Sequence, residues 1–195
     1  MVGKVIEKTF KYTIPTPNEL FQILKENFSK ATLPDRWFSG SSQSWTTSVL
    51  GIFDEVGRSL GYMPRKEYLR LDQTWEIRLP DISTIVLALE CENTDRVEEI
   101  LGDELQKLLD VKGLLKVLVF YPGIPMYAYE GETLFPDIEE KIGSAGIKNP
   151  DERYIVMTIV YVRPQSIIEV CACSFDSEGK PENLGCFQVK YTSKD

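Results

Sequence analysis

The sequence contains no histidine. That excludes every mechanism built on an imidazole base and removes the nitrogen ligand most zinc sites use. Cysteine is scarce: Cys91, Cys171, Cys173 and Cys186 are the full set, and no two stand in a CxxC pair. A structural zinc site therefore has no motif behind it. Cys171 and Cys173 lie two apart in a strand-like segment, share one face, and are expected as buried thiols. No apolar run reaches the ~18 residues a spanning helix needs, and the first residues do not read as a secretory signal. The cytoplasm is the expected location, and no membrane partner is expected. A glycine-rich phosphate loop is missing too, since Gly57 to Gly61 lacks both the strand and the lysine of one. There is no internal repeat and no low-complexity segment.

What is present is ordinary for a globular chain: 43% hydrophobic and 27% charged residues over 195 positions. One domain, 1–195, is expected. The net charge of −8 works against nonspecific binding of nucleic acid, which rests on Lys and Arg at phosphates. Charge is unevenly spread, however. Glu90 to Asp110 holds eight acids and two bases, which suits a cation. Arg58, Arg65, Lys66, Arg70 and Arg78 gather in the segment just before it. They form either a basic rim beside an acidic pocket or a mixed solvated surface.

The chain is organised around Ile82 to Pro122, which reads as strand, turn, helix, strand. Its first strand is apolar from Ile82 to Leu89 and ends in Glu90-Cys91-Glu92-Asn93. A helix is expected from Asp95 to about Asp110, and a second buried strand from Leu114 to Tyr121. Upstream, Pro17 and the stripe Leu20, Ile23, Leu24, Phe28 mark a helix. Trp45, Val49, Ile52, Phe53, Val56 and Leu60 mark another, from Ser44 to Leu60. Val2 to Ile14 reads as a strand or arm, and Trp37 and Phe38 are expected to anchor the loop that holds them. Glu67 to Leu79 reads as one strand. Downstream come a helix, Leu134 to Ser144, and three β-rich runs: Tyr154 to Val162, Ser166 to Phe175 and Cys186 to Tyr191, with turns at Arg163-Pro164-Gln165 and Asp176 to Asn183. The expected fold is α/β: a mixed central sheet flanked by helices, extended by a C-terminal antiparallel meander at about 153–192.

A buried strand should not end in two glutamates unless that end meets water or a cation. Period two places Glu90 and Glu92 on one face, ~7 Å apart. If the Glu67 to Leu79 strand folds back about Pro80-Asp81, Asp72 lies across from Glu90. Three carboxylates then converge, and their repulsion calls for a cation or shifted pKa values.

This order of helix, Asp72 strand, Glu90-Cys91-Glu92 strand, helix and buried strand resembles the PD-(D/E)XK nuclease superfamily, the restriction-endonuclease-like fold, over about 44–122. The resemblance implies a metal-dependent nuclease that hydrolyses phosphodiesters in DNA or RNA with Mg²⁺ or Mn²⁺. Asp72 and Glu90 match the family's metal-binding acids. The lysine normally two residues on is Glu92 here, so the motif reads ExE. Lys107, on the following helix, is placed to substitute for it, with Gln106 the weaker alternative. The family has three strands between its first two helices, and the sequence displays only two.

In that reading Asp72 and Glu90 are hard oxygen ligands, joined by the carbonyl of Cys91 and by Glu55. Glu92 orients water or holds a second ion, and Lys107 stabilises charge developing on the phosphate. Plainer roles stand beside these. Asp72 can be an exposed strand residue. Glu90 and Glu92 can be a polar strand end. Lys107 can be a solvated lysine paired with Glu104 or Asp103. A straight helix from Asp95 would carry Lys107 ~18 Å along its axis, away from the acids, unless it breaks near Gly102. The expected partners are nucleic acid and a second copy of the chain as a homodimer. The second functional class is a nonenzymatic binding or assembly module on the same fold, and a plain metal-binding or acidic interaction protein is the third.

Overall fold

In the computed structural model, which describes residues 14–31, 42–78, 83–93, 96–121, 134–146, 149–162 and 167–190, a threonine opens the first helix. The Thr16 hydroxyl accepts from the Glu19 N–H while the Glu19 carboxylate accepts from the Thr16 N–H, which closes a capping box on α1 (Pro17–Lys30). Helix α2 (Ser42–Ser59) follows. Most of the expected N-terminal arm lies outside the described residues, as do Trp37, Phe38 and the turns at Pro80-Asp81 and Arg163-Pro164-Gln165.

The strands are β1 (Met63–Tyr68), β2 (Leu71–Arg78), β3 (Ser83–Glu92), β4 (Leu115–Phe120), β5 (Arg153–Val162), β6 (Ile167–Phe175) and β7 (Pro181–Lys190). They form one seven-stranded mixed sheet in sequence order. The inner strands β3, β4 and β5 run parallel, and the other neighbours are antiparallel. Parallel strands need crossovers. The first is a helical segment made of α3 (Val97–Glu99), a π turn (Ile100–Glu104) and α4 (Leu105–Asp110). The crossover from β4 to β5 contains α5 (Leu134–Ser144).

Two apolar layers hold this together. On one face, α1 and α2 bury Leu24, Phe28, Val49 and Phe53 against Trp75, Leu87 and Val117. On the other, Ile100, Leu105, Leu108, Ile138 and Ile142 cover Ala88, Leu118 and Val156. The mixed α/β class and the C-terminal antiparallel meander are therefore as expected. Among the described residues, no helix is long and apolar enough to cross a membrane.

Four expectations need correction. The Glu67 to Leu79 segment is not one strand: it turns at Leu69-Arg70 and splits between β1 and β2. Three strands thus precede the crossover helix. The Asp95 to Asp110 helix is not uniformly α, because the Leu105 N–H reaches back five residues to the Ile100 carbonyl. That wide turn lets Ile100 and Leu105, five apart, both face the sheet. Cys171 is not a thiol. It faces Cys186 across β6 and β7 and is joined to it by a disulfide, leaving Cys91 and Cys173 as buried thiols. Strand β7 also starts earlier than expected, at Pro181 rather than Cys186.

Helix α2 crosses the β1–β2 hairpin at Gly57. A Cβ there would lie 2.7 Å from Trp75 Nε1 and 3.0 Å from Pro64 Cγ. Trp75 is fully buried, so the ring has no room to retreat. Gly57→Ala is expected to destabilise the fold by about 1–3 kcal/mol through overpacking, against the small gain that alanine brings to a helix interior. The urea midpoint of the variant checks it, and an unchanged or higher midpoint contradicts the packing argument.

Candidate metal and phosphate site

The acids meet because of a bulge. Arg78 faces Ser83 near the turn, and an unbroken ladder from that pair would set Asp72 opposite Leu89. The register shifts between Trp75 and Glu76, so Gln73 faces Leu89 and the next position sets Asp72 against Glu90. Asp72 Oδ2 accepts a 2.8 Å hydrogen bond from the Cys91 N–H, which locks the two strands at this level. The Cys91 thiol points to the opposite face, into the core beneath α2.

Glu90 projects to the crossover-helix face and is only 1% exposed. Above it sits Lys107, whose Nζ lies 3.4 Å from Glu90 Oε2 and 2.6 Å from Glu104 Oε2. The helix does not carry Lys107 away. The segment packs back over the sheet, with the π turn and α4 on β3 and α4 on β4 as well. Its second half, not its start, therefore covers Glu90. Glu92 lies further out and accepts a bond from the Asn93 N–H.

These side chains line one open cleft of about 340 Å³, together with Thr46, Thr47 and Leu50 of α2 and Lys66 and Glu67 of β1. Asp72, Glu90, Cys91, Glu92 and Lys107 are all at its walls. Glu55 is not. It is exposed on α2 and borders a separate depression with Asn27, Lys30 and Ser48. Five residues beyond Leu50, it is turned well round the helix from the cleft. Gln106 is also excluded, being exposed and bonded to Asp110. The residue that sequence reasoning missed is Glu104. It reads as a surface partner of Lys107 on a regular helix, but the π turn rotates it inward and buries it. The five-residue step from Ile100 to Leu105 was the available signal.

Burial dominates the electrostatics. It pushes the Glu90 carboxyl up to about 9, helped by the hydrogen bond with Glu104 and the charge of Asp72, and opposed by Lys107. Asp72 is also raised by burial, with the Cys91 N–H pulling it back. Glu92 is raised by burial and by Glu104. Burial acts to lower Lys107, but the Glu104 and Glu90 carboxylates together outweigh it, and the ammonium is held more firmly than usual.

In kind, the donor set fits a hard divalent cation. It offers carboxylate oxygens and no soft ligand, and the buried Glu90 Oε1 has no hydrogen-bond partner. As they stand, no three Asp, Glu or Cys side chains among the described residues are grouped to hold an ion. Lys107 occupies the space between Glu90 and Glu104. The chain matches no protein-family model and no curated protein sequence.

Proposed function

We propose that this chain is a metal-dependent phosphodiesterase acting on nucleic acid, a nuclease of the PD-(D/E)XK type in which the motif lysine has moved to the crossover helix. The observation that carries the reading is the convergence of Lys107 with Glu90 and Asp72 in one cleft. The third strand before the crossover helix supports it as well. Asp72, Glu90 and the Cys91 backbone would hold Mg²⁺ or Mn²⁺. The bound ion supplies an activated water and neutralises phosphate charge. Lys107 sits where its ammonium can stabilise charge building on a phosphate oxygen, and Glu104 fixes its position. Glu92, at the outer wall, is placed to orient water.

A nonenzymatic module on this fold is the second reading, and one observation favours it. The cleft is lined by five acids, Glu67, Asp72, Glu90, Glu92 and Glu104, against Lys66 and Lys107. Such a wall repels a phosphate chain until a cation enters. Cytoplasmic location and a homodimer belong to the proposal as well. The Cys171–Cys186 disulfide pulls against the cytoplasm, where disulfides are rare in most organisms.

The test is cleavage of single-stranded, duplex and branched DNA and RNA by the full chain. Hydrolysis is expected with Mg²⁺ or Mn²⁺ and is expected to stop with chelator. No cleavage of any substrate with either ion selects the nonenzymatic reading.

A further inference from the structure

The β1–β2 hairpin ends in two residues, Leu69 and Arg70, with Tyr68 facing Leu71. Both take positive φ, 55° and 67°, and Glu67 beside them does the same at 49°. Two-residue turns of this kind select Asn-Gly or Asp-Gly, because other side chains crowd their own backbone there. A leucine and an arginine hold these positions against local preference, and such strain gathers where function demands it. Leu69 is 54% exposed, so the tip carries a large aliphatic side chain into water.

Three cations belong to the same hairpin end. Arg65 stacks 3.6 Å over the Tyr68 ring, Arg70 is exposed at the tip, and Lys66 lines the cleft. Glu67 is the one acid of β1. In a chain of net charge −8, the hairpin from Met63 to Arg78 carries four bases against three acids. An apolar wedge flanked by Lys and Arg is how proteins part stacked bases, the wedge entering the step while the cations hold the phosphates beside it. Glu67 and Asp72 line the same cleft, so the tip and the carboxylates share one surface.

Building on the nuclease reading, we propose that the β1–β2 hairpin tip, with Leu69 at its apex, is a wedge that seats nucleic acid at a junction between paired and splayed strands. Asp72 is three residue steps beyond Leu69, a reach of at most about 11 Å. At ~3.4 Å per nucleotide, cleavage falls within about three nucleotides of the junction. A continuous duplex is a poorer partner, because a stacked step must be opened before leucine can enter.

The test is fluorescence anisotropy of the full chain, with Ca²⁺ present to neutralise the carboxylates, on fully paired and splayed DNA probes of one sequence. The wild type is expected to bind the splayed probe about tenfold tighter, and Leu69→Ser to reduce that preference to about twofold. Arg70→Glu is expected to weaken both probes and flatten the salt dependence. Leu69→Asn with Arg70→Gly supplies the residues the turn favours. It is expected to raise Tm by about 4 °C while losing the preference, which separates recognition from misfolding. Equal affinity for both probes, a preference that survives Leu69→Ser, or no binding to either probe overturns the wedge. A peptide-binding tip would give the last of these results. Splayed-probe binding without cleavage under any metal would uphold the wedge and sink hydrolysis, so the two failures are distinct.

Discussion

Lys107→Ala is expected to lower Mn²⁺-dependent cleavage by about 10²–10³-fold, the loss typical of a positioned group that stabilises transition-state charge. Metal affinity should stay the same or rise. In the wild type the Lys107 ammonium lies 3.4 Å from Glu90 and 2.6 Å from Glu104, so it competes with any cation for the same oxygens. Removing it leaves the carboxylates with more need of a metal. Cleavage is therefore lost while metal affinity is not. A residue that merely propped up the helix would lower both. Cleavage kinetics with saturating Mn²⁺ and calorimetric titration of the same variant separate these cases. Full activity in Lys107→Ala would take the lysine out of the reaction and leave water activation to Glu92 and the metal. Gln106 is not available for it, because its amide is turned outward onto Asp110.

The level at which the acids meet was readable from the sequence, though partly for a reason the sequence does not display. Folding the segment about Pro80-Asp81 places Asp72 against Glu90. The real closing pair, Arg78 with Ser83, would miss that match by one residue, and the bulge at Trp75 and Glu76 makes up the difference. A one-residue slip would have turned the pairing to the other face of the sheet. The buried strands and the helix stripes were legible because burial writes period into sequence. Strand β1 was not, because Leu69-Arg70 carries no glycine, proline or asparagine to announce a turn. Glu104 was hidden by the assumption of a regular α-helix, in which positions 100 and 105 face apart. The Cys171–Cys186 pair was hidden because Pro181-Glu182-Asn183, the first residues of β7, read as a continuation of the turn, which put the partner opposite Cys171 out of view.

The cluster also predicts opposite pH responses for stability and for metal binding, both through Glu90. Its carboxyl is held at about 9 in the folded chain by burial and by Glu104, against 4.5 when unperturbed. Between those values the folded state keeps a proton that the unfolded state has released. The unfolded chain binds fewer protons, so stability falls as pH rises through this window, and below it the penalty is absent. Glu90→Gln removes the ionisation while keeping the shape. The variant is expected to be about 2–3 kcal/mol more stable than wild type at pH 7, with the gap closing towards pH 4. Denaturant midpoints at the two pH values check this, and equal stability at both would mean that Glu90 is not held protonated. A cation entering the site must displace the same proton. Mn²⁺ affinity is therefore expected to climb about tenfold per pH unit until the carboxyl ionises by itself near pH 9. Calorimetry between pH 6 and pH 8, in buffers of different ionisation enthalpy, should show one proton released per ion. Glu90→Gln should bind weakly, with most of that pH dependence gone. A wild-type affinity that stays flat across this range would place the ion away from Glu90, and the metal site with it.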